Sequence, residues 1–465
     1  VTPSTRPLNR TTYDAAPAAP VRLIHLGLGA FHRAHQVFYT VKAEADPSDP
    51  EWGYCSFTGR GPSMAEKLTS QDGLFTLVTR SGDGDEYDVI EGIVEAQPAN
   101  NVARLRELMA SKDLAVVTMT VTEAGYHLTQ GLEINTSSSS VATDIDALRG
   151  DHSRITYLGT AAGKLVLGLS ARRDAGLGGI AIMSCDNIAS NGNTVRASVL
   201  GLAREVDEEL EEWIEENVTF PSSSIDRITP ASASELARDV AEATGYEDVA
   251  PVVAEPFASW VIEGDFPNGR PAWERAGAQF VEDIEQFENR KLWLLNGSHS
   301  LMAYYGQLRE HDTVAEAIAD ADVRSRVETL WDEAARHLTA DGLDISGYRA
   351  ALIERCENPR IRHNLAQIGI DGATKQRMCA VAIMNAELGA GRNGSGSAFS
   401  IAAWIAFVLG NENAANINDT RASEIDKARR AGQPIRALVA VLDEDLAANE
   451  SALATITGHV EALTS

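Results

Sequence analysis

Four short apolar segments set between helical patterns constrain this chain more than any other feature. RLIHLGLGA (22–30), GYCSFTG (53–59), LAVVTMTVT (114–122) and GIAIMSC (179–185) are rich in β-branched, aromatic or aliphatic residues and read as strands. MAEKLTS, VARLRELMAS and the 160–175 segment separate them with helical periodicity. Alternating strands and helices argue for a parallel, doubly wound α/β sheet over the first half. INTSSSSVATD (134–144) reads as a polar surface loop. After Asn187 the pattern turns helical, and the acidic run at 203–218 reads as a solvated helix face. From about residue 286 strand signals vanish, and segments such as KLWLLNGSHSLMAYYGQL and AFSIAAWIAFVL carry helical spacing only. A chain of 465 residues exceeds one ordinary core. The expected organisation is a nucleotide-type domain over 1–285 and a mostly α-helical, substrate-binding domain over 286–465.

Charge and cysteine usage exclude several function classes. With 67 acidic residues against 40 Lys and Arg, the formal net charge is −27. Such a field repels nucleic acid and anionic membranes, whereas a local cationic pocket can still take an anionic small molecule. No apolar stretch reaches membrane-spanning length, and the N-terminal VTPSTRPLNRTTYDAAPAAP lacks the basic start and apolar core of a signal peptide. A cytoplasmic location is expected, and the oligomeric state stays open, a monomer included. The 4 cysteines form no CxxC pair and read as buried free thiols. The 10 histidines offer no HExxH, and His32-x-x-His35 alone does not make a zinc site, so no metal is expected.

Gly27-x-Gly29 follows the first strand and precedes a helical pattern, the context of a dinucleotide-binding turn. The first glycine permits the tight turn and the second lets the backbone approach a pyrophosphate; His32 stands where a third glycine is usual. With the glycines, Ala30, Phe31, His32 and Arg33 are the candidate cofactor-binding residues. The next strand ends Thr58-Gly59-Arg60-Gly61, with no carboxylate for the ribose hydroxyls. Arg60 can stack on adenine, accept a 2′-phosphate or serve as an ordinary surface residue. NAD is the expected cofactor, with NADP open.

ENRKLWLLNGSH (288–299) gathers an amine, an amide and an imidazole on one predicted helix. At about 100° per residue, Glu288, Lys291, Asn296 and His299 fall near ~60°, ~0°, ~140° and ~80°, one face of the helix. Oxidation of a carbinol needs such a set: a base for the hydroxyl proton, an amide for the oxyanion and a donor that fixes the substrate. The spacing alone is equally satisfied by a helix with scattered polar residues. Asn187, beside Asp186, can likewise be a helix cap.

GLGAFHRAHQ (27–36), TVTEAGY (120–126), SCDNIASNGN (184–193), DRITP (226–230), EPFASWVIEGDFPNGRPAWERAG (255–277) and KLWLLNGSH (291–299) occur in order. Together they resemble the polyol-specific long-chain dehydrogenases, the mannitol 2-dehydrogenase and fructuronate reductase family. The resemblance spans nearly the whole chain. It implies an N-terminal Rossmann domain, a helical C-terminal domain, no catalytic metal, and hydride transfer between a nicotinamide cofactor and a secondary carbinol of an acyclic polyol or sugar acid. Carried over by residue, it implies Lys291 as general base, Asn187 and Asn296 as paired amides for the alkoxide, and His299 as a substrate-binding residue. Asp226 would line the same pocket and Glu288 would pass the proton to solvent.

ENPRIRHNLAQIGIDGATKQRM (357–378) resembles the family's second substrate segment. His363 and Gln367 look more like the fructuronate reductase branch than the mannitol branch, and Lys375 matches a lysine near the substrate in both. The proline that usually follows that lysine is absent. D-Mannitol to D-fructose is the leading expectation and D-mannonate to D-fructuronate the alternative. A non-catalytic sugar- or nucleotide-binding sensor is the alternative of another class.

Overall fold

The computed structural model describes residues 5–411 and 418–465. Its contacts divide the chain into two compact units, Val1–Ile284 and Glu285–Ser465. Unit 1 is built on β1 (Val21–Leu26), β2 (Gly53–Phe57), β3 (Phe75–Arg80), β4 (Asp85–Ile90), β5 (Ile93–Gln97), β6 (Val116–Met119) and β7 (Ala181–Ser184), followed by β8 (Ser222–Asp226), β9 (Val252–Ala254), β10 (Ser259–Glu263) and β11 (Gln279–Val281). The main sheet is wholly parallel, in the order β5-β2-β1-β6-β7. Strand order reverses at β1, so a crevice forms outside the carboxyl ends of β1 and β6, where ligands of doubly wound folds bind.

Successive residues of these strands feed opposite cores. Ile24, Cys55, Val117 and Ile182 pack on one face, and Leu23, Tyr54, Val116 and Ala181 on the other. That is the period-two geometry of a strand buried on both sides, and it explains why the sequence reads as continuous apolar runs. The fold is therefore α/β with a Rossmann-type doubly wound sheet, as expected.

Two regions correct the sequence reading. Residues 222–281, expected to be helical, contribute strands to two small sheets, ordered β9-β3-β4 and β11-β10-β8. β8 reads SSSID, so its strand character comes from pairing antiparallel to β10 rather than from composition. The serine-rich segment expected as a loop instead starts helix α1 (Ser139–Leu148), whose Val141, Ile145 and Leu148 enter the core. Helices α2 (Ala161–Asp174) and α3 (Asn191–Val206) cover the same face.

Unit 2 is helical. Residues Glu285–Arg290 lead into a π-helical stretch, Lys291–Asn296, which continues as α4 (Gly297–Leu308). α5 (Ala321–Ala335) and α7 (Glu450–Thr464) join α4 around α6 (Ser395–Gly410). α6 is buried nearly all round, as a helix without a polar face must be. Among the described residues no helix is long and apolar enough to cross a membrane. All four cysteines are free and buried.

Candidate active site

The turn after β1 is closed by geometry that only glycine permits. Gly27 has φ +114°, and a Cβ there would collide with the carbonyl oxygen of Thr120 at the end of β6. The N–H groups of Gly27 and Leu28 both donate to Phe57 O, at 2.9 and 2.8 Å, which ties the turn to the end of β2. Gly29 then caps a helix that begins at Ala30. A cleft of about 440 Å³ opens beside this turn, lined by Gly27, the Thr58–Arg60 strand end, Thr120–Thr122, His127 and the start of α2 with Lys164. Among the described residues no carboxylate lines it, in a chain with 67 acids. Arg60 is exposed at its edge; burial lowers the Lys164 ammonium from its ordinary range, against the opposing pull of Asp144. A glycine turn at a topological switch point, with cations and no acids, fits the phosphates of a dinucleotide.

The side chains of two of the expected cofactor residues, His32 and Arg33, turn into the fold. The His32 ring is fully buried, stacked 3.4 Å from His25, with Nε2 2.9 Å from Ser56 Oγ and Nδ1 3.3 Å from Gln36 Oε1. Arg33 is also buried, donating to Gly29 O at 3.2 Å and to Ala250 O. Their side chains brace the turn from beneath, since residues three and four along a helix start point back into the sheet. Phe31 is half-buried and stacks on His35 at 4.9 Å, a packing role.

The loop after β6 is held by Asp186. Its carboxylate accepts from Val121 N and Thr122 N at 3.0 Å each and from the Tyr126 hydroxyl at 2.6 Å. Thr122 is thereby fixed at φ +69°. Asn187 follows, exposed, and does not cap a helix: the N-cap of α3 is Ser190. Asp226 ends β8 and is 8% exposed.

In unit 2 the Lys291 segment departs from the expected α-helix. Lys291–Asn296 is π-helical, with Gly297 N–H donating to Leu292 O, so the even ~100° spacing does not apply across it. Side chains from elsewhere satisfy its carbonyls: Cys379 Sγ–H donates to Leu292 O at 3.3 Å and Trp331 Nε1–H to Leu294 O at 2.8 Å. Cys379 sits in a second π-helical stretch, Arg377–Val381. Lys291 and Asn296 occupy the two ends of the first stretch, half-buried, and Glu288 lies half-buried just before it. π-Turns of this kind recur at functional sites.

One turn further, the His299 ring meets His363 edge-on at 5.0 Å. Burial, and then the charges of His363, Arg355 and Lys375, keep the His299 imidazole neutral, well below its ordinary range. Burial, Arg355 and Lys375 lower His363 in the same way. Lys375 is itself lowered by burial, with Asp371 opposing, and its Nζ donates to Ile368 O at 2.6 Å. The structure thus brings His299, His363, Arg355 and Lys375 into one basic cluster, while Gln367 is exposed on the short helix Leu365–Ile368. Arg355 and Lys164 were missed from sequence because nothing local separates them from surface cations. Among the described residues no group of three or more His, Cys, Asp or Glu could hold a metal ion.

The parallel doubly wound sheet with its glycine turn at the switch point is a Rossmann-type dinucleotide-binding architecture, here joined to a helical unit. The mannitol dehydrogenase Rossmann-domain model matches residues 21–275 and the mannitol dehydrogenase C-terminal-domain model residues 283–464, so the chain belongs to the mannitol dehydrogenase family of oxidoreductases. It is 33% identical to the D-mannonate oxidoreductase of Escherichia coli, over 99% of this chain and 96% of that protein. To a mannitol 2-dehydrogenase of Aspergillus fumigatus it is 34% identical, over 96% of this chain and 91% of the other. The Pseudomonas fluorescens mannitol 2-dehydrogenase, solved as a ternary complex with NAD and D-mannitol, matches with TM-score 0.76 at 29% identity, covering 98% and 96% of the two chains.

Proposed function

We propose that the protein is a nicotinamide-dependent dehydrogenase of a six-carbon sugar acid, interconverting D-mannonate and D-fructuronate. The observation that carries this reading is the cluster of His299, His363, Arg355 and Lys375, four basic side chains gathered in a chain of net charge −27. A substrate carboxylate accepts charge-assisted hydrogen bonds from the Arg355 and Lys375 cations beside the two neutral imidazoles.

In the oxidative direction Lys291, as the free amine, takes the carbinol proton. Asn296 donates an amide N–H to the developing alkoxide. A nicotinamide cofactor held by the unit 1 cleft would supply the hydride acceptor. Glu288 passes the proton onward to solvent. His299 and His363, held neutral, each offer one donor and one acceptor to substrate hydroxyls, and Gln367 serves a remaining one. The same neutral imidazoles favour a second reading, D-mannitol to D-fructose, because a polyol needs mixed donors and acceptors.

A panel of fructuronate, fructose, mannitol, arabinitol and sorbitol, followed by nicotinamide absorbance with NADH or NADPH for reduction and NAD or NADP for oxidation, separates the two. Turnover of fructuronate without fructose supports the sugar-acid reading, and the reverse pattern transfers the assignment to the polyol. No turnover with either cofactor makes the chain a binding protein.

A further inference from the structure

We propose that Asp186 is a positioning residue for the dinucleotide: its carboxylate clamps the loop after β6 in a strained conformation, and the wall of the unit 1 cleft depends on that clamp. This role rests on the dinucleotide reading of the cleft, and its test needs no sugar substrate.

The loop leaves the sheet at the switch point, where the crevice opens. The β6 ladder ends at Met119, whose O accepts from Cys185 N at 2.8 Å. Thr120 is still tied to the first strand, donating through N to Leu26 O at 2.9 Å and through Oγ1 to Gly27 O at 3.1 Å. Beyond it the ladder stops, yet Val121, Thr122, Gly125 and His127 line the cleft. The N–H groups of Val121 and Thr122 donate instead to the two Asp186 carboxylate oxygens, at 3.0 Å each. Thr122 is held there at φ +69° and ψ 160°, a region nearly reserved for glycine. A threonine stays in it only when its surroundings over-determine it, and the two carboxylate bonds do so.

The clamp is itself pinned from behind. The Tyr126 hydroxyl donates to Asp186 Oδ2 at 2.6 Å, because a carboxylate can only accept, so Ser184 Oγ donates to the Tyr126 oxygen at 2.7 Å. Burial, and then the neighbouring Asp186, push the Tyr126 phenol above its ordinary range, which keeps it a donor. Ser184 Oγ also accepts from Asp186 N at 3.1 Å, which closes the ring of bonds. From α3, Asn191 Nδ2 donates to Asp186 O at 3.0 Å. Tyr126, Ser184 and Asn191 are all buried, so the network is fixed before any ligand arrives. Asp186 thus acts through the loop rather than on the nucleotide.

Isothermal titration of the full chain with NADH tests the clamp through a pair of substitutions. Asp186→Ala removes the acceptor of both N–H groups, and relaxation of Thr122 out of its glycine-like conformation should weaken NADH binding by about tenfold. Glycine holds that conformation without a clamp. Thr122→Gly should therefore raise the NADH affinity of Asp186→Ala by about fivefold, and bring no gain where Asp186 is present. Where Asp186→Ala fails to fold, the isosteric Asp186→Asn, which keeps one acceptor, carries the same comparison. NADH binding by Asp186→Ala within about twofold of wild type overturns the proposal. So does a loss that Thr122→Gly leaves unrelieved, since a merely structural role would lower thermal stability without that rescue. Absence of NADH binding by the wild type overturns it together with the dinucleotide reading, whatever the substrate panel shows.

Discussion

The stacked His25–His32 pair makes the fold acid-sensitive in a window that can be worked out from the structure. His25 lies wholly inside unit 1, with Nδ1 2.8 Å from Thr118 Oγ1 and Nε2 3.0 Å from Thr120 Oγ1, and among the described residues no carboxylate pairs with it. Burial lowers its imidazole from 6.5 to about 3. Its neutral form is therefore the folded form, and protonation is available mainly to the unfolded chain. Stability is fully present above pH 6.5 and is lost as pH falls from 6.5 towards 3, because over that range the unfolded state binds more protons. By linkage, at pH 5 this one histidine costs roughly 2 kcal/mol relative to pH 7.5, a large share of a typical ~5–15 kcal/mol total. His32, 3.4 Å away and also buried, adds in the same direction. Denaturant unfolding of wild type and His25→Gln at the two pH values, followed by tryptophan fluorescence, isolates the effect. The variant starts less stable but should lose about 2 kcal/mol less between pH 7.5 and 5. Equal pH-dependent losses in both proteins would refute the reasoning.

Gly27→Ala should abolish high-affinity NADH binding or leave the protein insoluble, since both φ +114° and the Thr120 carbonyl forbid a side chain there; fluorescence titration of any soluble fraction checks it. Glu387 is 1% exposed and paired to Arg336 at 2.6 Å, His337 at 2.7 Å and Arg392 at 2.7 Å, so Glu387→Gln should cost about 1–3 kcal/mol in thermal or denaturant unfolding. Arg392, His337 and Arg336 lower that carboxyl from 4.5 to about 2 despite the cost of burial, so its contribution is present above pH 4.5 and disappears as pH falls towards 2. The histidine comparison between pH 7.5 and 5 lies above that range.

What was legible in the sequence depended on how local the cause was. β1, β2, β6 and β7 were readable because burial on both faces forces apolar runs, and the glycine turn because φ and close approach admit nothing larger. β8 was not, because its serines are explained by distant partners: Ser223 donates through Oγ to Ser184 O at 2.7 Å and through N to Asn191 Oδ1 at 2.9 Å. His32 looked like a cofactor residue by its place in the motif, yet its orientation is set by His25 and Ser56 across the sheet. The π-turn at Lys291 was invisible for the same reason, since the groups that satisfy its carbonyls, Trp331 and Cys379, lie far along the chain. The family resemblance reached Lys291, Asn296 and His299 by motif, but the basic cluster with Arg355 required the fold.

The most direct test of a lysine base acting on a sugar acid is the turnover of D-fructuronate by Lys291→Ala, measured beside NADH affinity in the same preparation. Removal of a positioned base should lower kcat by about 10²–10⁴-fold while the NADH Kd changes by no more than about twofold. Turnover close to that of the wild type, or a loss explained by failed NADH binding, would contradict the account.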